Sequence, residues 1–187
     1  MNSSGQSSME NLQQFEAEQL EIVNNTVALA EELVSNFYKM SASQWLRRRY
    51  DVKTLADLSP DEIVQGPFAQ VIRYEGQRKE SSLGSSAYDF YKICLQDHFI
   101  LSAMEQSSNL NLSPFSLYIV IHELIHIVRF SKFIQSFDAS PQEMMAEEKR
   151  VHEITREILS TVQIPGLPDV LDFYDKWRTP VDDLRNS

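Results

Sequence analysis

The segment His122-Glu123-Leu124-Ile125-His126 constrains the fold of this chain more than any other. It lies in a run from about Phe115 to Ser136 whose aliphatic residues cover nearly the whole circumference of a helix, which predicts a buried helix. The two imidazoles are four residues apart and therefore project from the same face of that helix. Burying such polar groups without partners is costly. The pattern therefore predicts that both histidines share a partner in the interior.

A divalent metal ion is the partner that best suits this spacing. Neutral imidazoles bind zinc, and a catalytic zinc site keeps one position open beside its three protein ligands. Glu123 directly follows the first histidine, so it can act as the general base that takes a proton from metal-bound water. This combination is typical of zinc hydrolases. We therefore expect a zinc ion (Zn²⁺) at His122 and His126, with Glu123 as the catalytic base.

The third metal ligand is expected on the helix that follows. Ser140-Pro141-Gln142-Glu143 has the pattern of a capping box, which predicts a helix from there to about Val162. A turn at Asp138-Ala139 makes the two helices antiparallel and places residues near 148 to 156 opposite the histidines. Glu148 lies close to the midline of the apolar side of this helix. It is the predicted third ligand.

Three further residues near this point have alternative roles. His152, one turn beyond Glu148, is a candidate catalytic residue that donates to the oxyanion of the reaction, or it replaces Glu148 as the ligand. Glu147 is the third choice as a ligand, and its interpretation as a solvated carboxylate is favoured. Arg129 is expected to pair with a nearby carboxylate.

The remaining pattern predicts an α+β fold, mostly helical, with a short antiparallel sheet. Phe68 to Tyr74 and Asp89 to Leu95 are rich in aromatic and β-branched residues and are predicted strands. A tight turn at Gln96-Asp97 would join the second of them to a third strand from His98 to Ser102. Further helices are predicted from Met9 to Tyr38, after Ser59-Pro60-Asp61-Glu62, and, as one short helix, between Ile164 and Ser187.

Length and composition indicate one domain. The chain has 187 residues, of which 42% are apolar and 24% charged, which is ordinary for a globular protein with a packed core. Residues 1–8 are a polar lead that cannot bury enough apolar surface to order itself. We expect a single metallohydrolase domain over residues 9–178 and a polar tail over residues 179–187.

Charge and cysteine content restrict the partners and the compartment. A net charge of −10 argues against nucleic acid, because phosphate contacts need clustered basic residues. The single cysteine, Cys94, fits a reducing compartment. The start of the chain lacks a secretory signal, and the longest apolar run, Leu117 to Ile121, is too short to span a membrane. We therefore expect a cytoplasmic protein without a membrane partner, while the oligomeric state is not set by these residues.

The chain resembles the zincin superfamily of metallopeptidases through His122-Glu123-Leu124-Ile125-His126, and the gluzincins among them through Glu148. The resemblance covers roughly residues 88 to 160. It implies a peptide or protein substrate and a zincin-like domain whose edge strand, before the motif helix, binds the extended substrate. By position, Phe99-Ile100-Leu101-Ser102 matches that strand. The Gly and third His of metzincins are absent after His126.

Two other functions are compatible with the same residues. One is a zinc-stabilised binding module without turnover, in which the acidic surface or the N-terminal helix recruits a partner. The other is a helical-bundle protein with two irons, because Glu123-Leu124-Ile125-His126 also has the Glu-x-x-His spacing of such bundles. That architecture needs a second such pair, and the chain has only Glu148 and His152, four residues apart.

Overall fold

The computed structural model describes residues 11–47, 50–77, 87–132 and 138–183. In this part of the chain, six α-helices pack with one three-stranded sheet, which confirms the predicted α+β class. The elements in chain order are α1 (Ala17–Tyr38), α2 (Ala42–Arg47), β1 (Tyr50–Lys53), two 3₁₀ turns (Leu55–Asp57 and Pro60–Glu62), β2 (Ala69–Gln77), β3 (Ala87–Leu95), α3 (Asp97–Gln106), α4 (Leu112–Ser131), α5 (Pro141–Leu159) and α6 (Leu167–Asp183).

The sheet is mixed and has the strand order β1-β3-β2. The two predicted strands are confirmed as β2 and β3, an antiparallel pair in which Ala69 lies opposite Leu95. The short strand β1, which the sequence analysis did not predict, adds parallel to β3 with Val52 opposite Ile93. Within the described residues, β2 is therefore an edge strand.

The predicted third strand from His98 to Ser102 is wrong, because these residues belong to α3. Contacts between residues distant in sequence stabilise the helix in place of a strand. The buried carboxylate of Asp97, in the first turn, accepts hydrogen bonds from the backbone N–H groups of Phe15 and Leu55, each at 3.0 Å. The chain leaves the sheet at Gln96, whose carbonyl accepts from the N–H groups of Phe99 and Ile100. No short-range pattern in this apolar segment distinguishes a strand from such a helix.

Helix α4 is the centre of the core. Most of its residues are buried, and it packs against α1, α5, α6 and both long strands. Among the described residues, it alone is long and apolar enough to cross a membrane, but 83% of its most apolar 18-residue window is buried inside the molecule. Burial against these neighbours accounts for its composition.

The helices that flank α4 broadly follow the predicted pattern. Helix α5 begins after Ser140, whose hydroxyl accepts from the N–H of Glu143 at 3.3 Å, so the predicted capping box is confirmed. Helix α6 is longer than expected and reaches into the segment predicted as a polar tail. It follows Gly166, whose φ of +81° is a conformation that favours glycine. The predicted polar lead, residues 1–8, lies outside the described residues.

Candidate metal centre

Helices α4 and α5 bring His122, His126 and Glu148 together. The two imidazole Nε2 atoms are 3.2 Å apart. Glu148 Oε2 lies 3.2 Å from Nε2 of His122, and Glu148 Oε1 lies 3.0 Å from Nε2 of His126. Both imidazoles are buried, whereas 53% of the Glu148 side chain is exposed. The structure thus brings three predicted ligands from two helices together at one point. These three side chains form the ligand group.

The geometry of this group fits a zinc ion. Ligand atoms about 2.0–2.1 Å from a tetrahedral zinc lie roughly 3.3 Å from one another. The observed spacings of 3.0 to 3.2 Å are close to that value. One feature departs from the usual arrangement, in which the second ring nitrogen of a zinc-binding histidine donates a hydrogen bond. Within the described residues, the buried Nδ1 of His122 has no hydrogen-bond partner.

The carboxyl of Glu148 is ionised by its surroundings. Burial raises its pKa, but hydrogen bonds from His122 and His126 lower it more, so the net pKa is well below the ordinary value. A carboxylate is the form that binds zinc. The site therefore presents one negative charge and two imidazole nitrogens to an ion.

Glu123 lies beside the ligand group and lines the same cleft. Burial raises the pKa of its carboxyl, while the neighbouring His122 and His126 lower it to a smaller extent. A carboxyl with a raised pKa is a better proton acceptor in the neutral range than an ordinary glutamate. This is the property required of the predicted catalytic base.

His152 lies next to the ligand group but outside it. Among the described residues, the groups that converge within metal-binding distance are His122, His126 and Glu148. The ring of His152 is 4.4 Å from that of His122, centroid to centroid. Its Nδ1 is 2.6 Å from the hydroxyl of Tyr118. This placement favours the predicted role near the substrate over the alternative role as third ligand.

Two tyrosines at the site were missed by the sequence analysis. Tyr118 is buried under His152, and Tyr174 stacks on Tyr118 with ring centroids 3.9 Å apart. Tyr118 precedes His122 by one helical turn on the same face, so the helical spacing carried a signal for it. Tyr174 belongs to α6, and no local pattern links that helix to the motif.

Glu147 forms an ion pair with Arg129 and is not a solvated carboxylate. Both oxygens of this carboxylate accept from the guanidinium, Oε1 from Nε and Oε2 from Nη2, the latter at 3.0 Å. Only 14% of the Glu147 side chain is exposed. The interpretation of Glu147 as a solvated carboxylate is therefore wrong, and the predicted pairing of Arg129 with a carboxylate is confirmed. This ion pair joins α4 to α5 beside the ligand group.

A cleft of about 500 Å³ opens over the ligand group. Residues 67–71, at the start of β2, form one wall, and α4, α5 and Tyr174 of α6 form the others. Phe130 follows His126 by one turn and Met144 precedes Glu148 by one turn, so on antiparallel helices both lie at the same end of the cleft. Tyr174 and His152 lie towards the other end. The predicted metal ligands thus lie between an apolar end and an aromatic end of the cleft.

Comparison of the chain with protein-family models, with curated proteins and with solved structures gave no match. The resemblance to zincins therefore depends on the motif from His122 to His126 and on Glu148, and it stays a prediction. The function has to be inferred from the residues of this chain.

Proposed function

We propose that this chain is a zinc-dependent hydrolase, and that its substrate is a peptide or protein. The observation that carries the proposal is the convergence of the Nε2 atoms of His122 and His126 with the carboxylate of Glu148, at 3.0 to 3.2 Å, in an open cleft. A zinc ion bound there would polarise a substrate carbonyl and lower the pKa of water.

Each residue of the site then has a defined part in hydrolysis. His122, His126 and Glu148 would hold the ion. Glu123 takes a proton from the attacking water and returns it to the leaving amine. His152 donates a hydrogen bond to the carbonyl oxygen of the substrate as negative charge develops there.

The edge of β2 supports a peptide as the substrate. Gln96 N–H donates to the carbonyl of Phe68 at 2.8 Å, one residue pair beyond Ala69 and Leu95, where the β2–β3 register ends, so this pair has the hydrogen-bonded orientation. Because such pairs alternate, Ala69 and Val71 turn their N–H and C=O groups away from β3. No described strand pairs with that edge, and both residues line the cleft. An extended peptide can add to it by main-chain hydrogen bonds, the role that the sequence analysis gave to residues of α3.

The alternative with two irons is not favoured by this arrangement. A di-iron site needs ligands from a second Glu-x-x-His pair. In the part of the chain that the structure describes, one group of three ligands converges. Glu147 is bound by Arg129, and His152 is bound by Tyr118. The zinc-stabilised binding module has the same ligands and is distinguished only by the absence of turnover.

The test uses the full chain reconstituted with zinc. We expect one zinc per chain, and cleavage of a peptide library that a chelator abolishes and added zinc restores. Glu123→Gln should keep the zinc and lower the rate roughly 100- to 10,000-fold, the range for loss of a general base. Glu153→Gln, which alters an exposed carboxylate on α5, is the matched control and should retain the rate. Stoichiometric zinc with unchanged cleavage by Glu123→Gln would exclude this mechanism.

A further inference from the structure

Tyr118 is a buried residue that contacts a side chain of the cleft, His152. It is fully buried on α4, one turn before His122. Its hydroxyl is 2.6 Å from Nδ1 of His152, and its ring is stacked on Tyr174 with an interplanar angle of 16°. The stack and the buried helix leave the hydroxyl little freedom to move. The hydrogen bond with Tyr118 therefore restricts the position of the His152 ring.

The chemistry of the pair decides which ring nitrogen carries the proton. A phenol O–H is a much stronger acid than the N–H of a neutral imidazole, so Tyr118 is the natural donor and Nδ1 the acceptor. An imidazole that accepts at Nδ1 carries its proton on Nε2. Because Nδ1 is directed at Tyr118, Nε2 lies on the side of the ring away from that tyrosine. His152 also lines the cleft in which a substrate would lie.

We propose that Tyr118 is a positioning residue that fixes His152 in the Nε2–H tautomer and directs this N–H at the carbonyl oxygen of the substrate. The inference rests on the proposed hydrolase function. Such a partner matters because a donor stabilises developing charge only when its orientation is set before the reaction. Without the Tyr118 hydroxyl, His152 loses the contact that favours the Nε2–H tautomer, and the Nδ1–H tautomer has no proton on Nε2 to donate.

The first experiment observes the tautomer directly. Histidine in the zinc-loaded chain is labelled with ¹⁵N and observed by long-range ¹H–¹⁵N NMR at about pH 8, above the ordinary imidazole pKa of about 6.5. We expect His152 to be the Nε2–H tautomer in the parent and a mixture in Tyr118→Phe. Tyr50→Phe, which removes a hydroxyl bonded to Glu31 away from the cleft, is the matched control and should resemble the parent.

Two NMR results would overturn the proposal. One is an Nδ1–H tautomer, or a zinc-bound Nε2, at His152 of the parent. The other is an unchanged tautomer in Tyr118→Phe. If Tyr118→Phe does not fold, the tautomer of His152 in the parent spectrum alone tests the proposal. Because this measurement needs no turnover, it remains decisive even if the chain binds zinc and hydrolyses nothing, which would refute the proposed function instead.

The second experiment measures kinetics on a fluorogenic peptide recovered from the library. Tyr118→Phe should lower kcat about 10- to 100-fold, as loss of an orienting partner does, and leave KM within about twofold. His152→Ala should lower kcat roughly 100- to 1,000-fold. Zinc affinity should not change in either variant, because neither residue is a ligand.

A double variant separates positioning from general support of the fold. If Tyr118 acts through His152, adding Tyr118→Phe to His152→Ala should lower kcat by less than about twofold further. A purely structural tyrosine would instead lower the rate by the same factor in both backgrounds. An additive loss, or a loss of zinc from Tyr118→Phe, would overturn the proposal.

Discussion

Two clusters of polar side chains in this molecule differ in how they are completed. The first surrounds Glu62, a carboxylate that is only 3% exposed. It accepts hydrogen bonds from Lys92 Nζ at 2.6 Å, from the Tyr74 hydroxyl at 2.8 Å and from the Ser59 N–H at 3.0 Å. Its charge is neutralised and its oxygens are matched by donors. This cluster is complete with protein atoms alone.

The second cluster, His122, His126 and Glu148, consists of atoms that can all offer lone pairs to one point. The cation on the same helix, Arg129, is bound to Glu147 instead. This is the contrast expected between a structural polar network and the proposed metal site. Glu62 has hydrogen-bond donors for its oxygens, whereas the histidine cluster has the ligand atoms that the proposed ion would need.

Removal of one ligand should separate the two clusters most sharply. His126→Ala should weaken zinc binding more than about 100-fold, because even loss of a hydrogen-bond partner behind a ligand costs 10- to 100-fold. His98→Gln alters a histidine outside the cleft and is the control. Calorimetric titration with zinc measures both. Equal affinities for parent and His126→Ala would remove the distinction between the clusters.

Zinc should stabilise the folded chain through the second cluster and independently of the first. At a free zinc concentration 100 times the Kd, the free energy of unfolding should rise by about 2.7 kcal/mol. Urea unfolding of the parent with zinc and with chelator measures this difference. His126→Ala should show little of it, and Lys92→Met should show all of it. A rise of equal size in His126→Ala would mean that zinc acts elsewhere.

Loss of a partner in the first cluster should affect stability and not metal binding. Lys92→Met leaves the carboxylate of Glu62 without its cation, and we expect a loss of about 2 kcal/mol in the free energy of unfolding. The value is below that for a fully buried pair because 20% of the Lys92 side chain is exposed. Zinc affinity should equal that of the parent. Urea unfolding and zinc titration of the same preparation check both statements.

Lowering the pH should have the smallest effect on the free energy of unfolding. It should act on the first cluster by protonating Glu62. Hydrogen bonds from Lys92 and from the Ser59 N–H lower the pKa of Glu62 to about 2. The contribution to stability is present above the unfolded pKa of about 4.5 and is lost as the pH falls towards 2. The stability difference between the parent and Glu62→Gln should therefore shrink between about pH 5 and pH 2. A constant difference would show that Glu62 is not ionised in the fold.

Local patterns were sufficient to predict the helices that carry the ligands. The periodicity around His122 and the capping box at Ser140 are properties of neighbouring residues, and together they predicted the hairpin that brings Glu148 to the histidines. The contacts of the Glu148 carboxylate with His122 and His126 confirm the pairing of the helices and the proximity of the three predicted ligands.

Distant contacts decided what the local patterns did not predict. Strand β1 has four residues and pairs with β3 far along the chain, so its short sequence carries little signal. The sequence predicts a strand where α3 lies, because Asp97 acquires its hydrogen-bond partners only in the folded chain. Tyr174 reaches the site through the packing of α6, which no spacing near His122 could show.

The three predicted ligands are unevenly exposed, and at the proposed metal site this would affect how an ion enters and leaves. His122 and His126 are held within the core, whereas 53% of the Glu148 side chain is in contact with solvent. A rotation of that one carboxylate would open the site to bulk water without disturbing either imidazole. Exchange of the ion would then be governed by the rotamers of Glu148, and its dissociation rate by a single surface side chain.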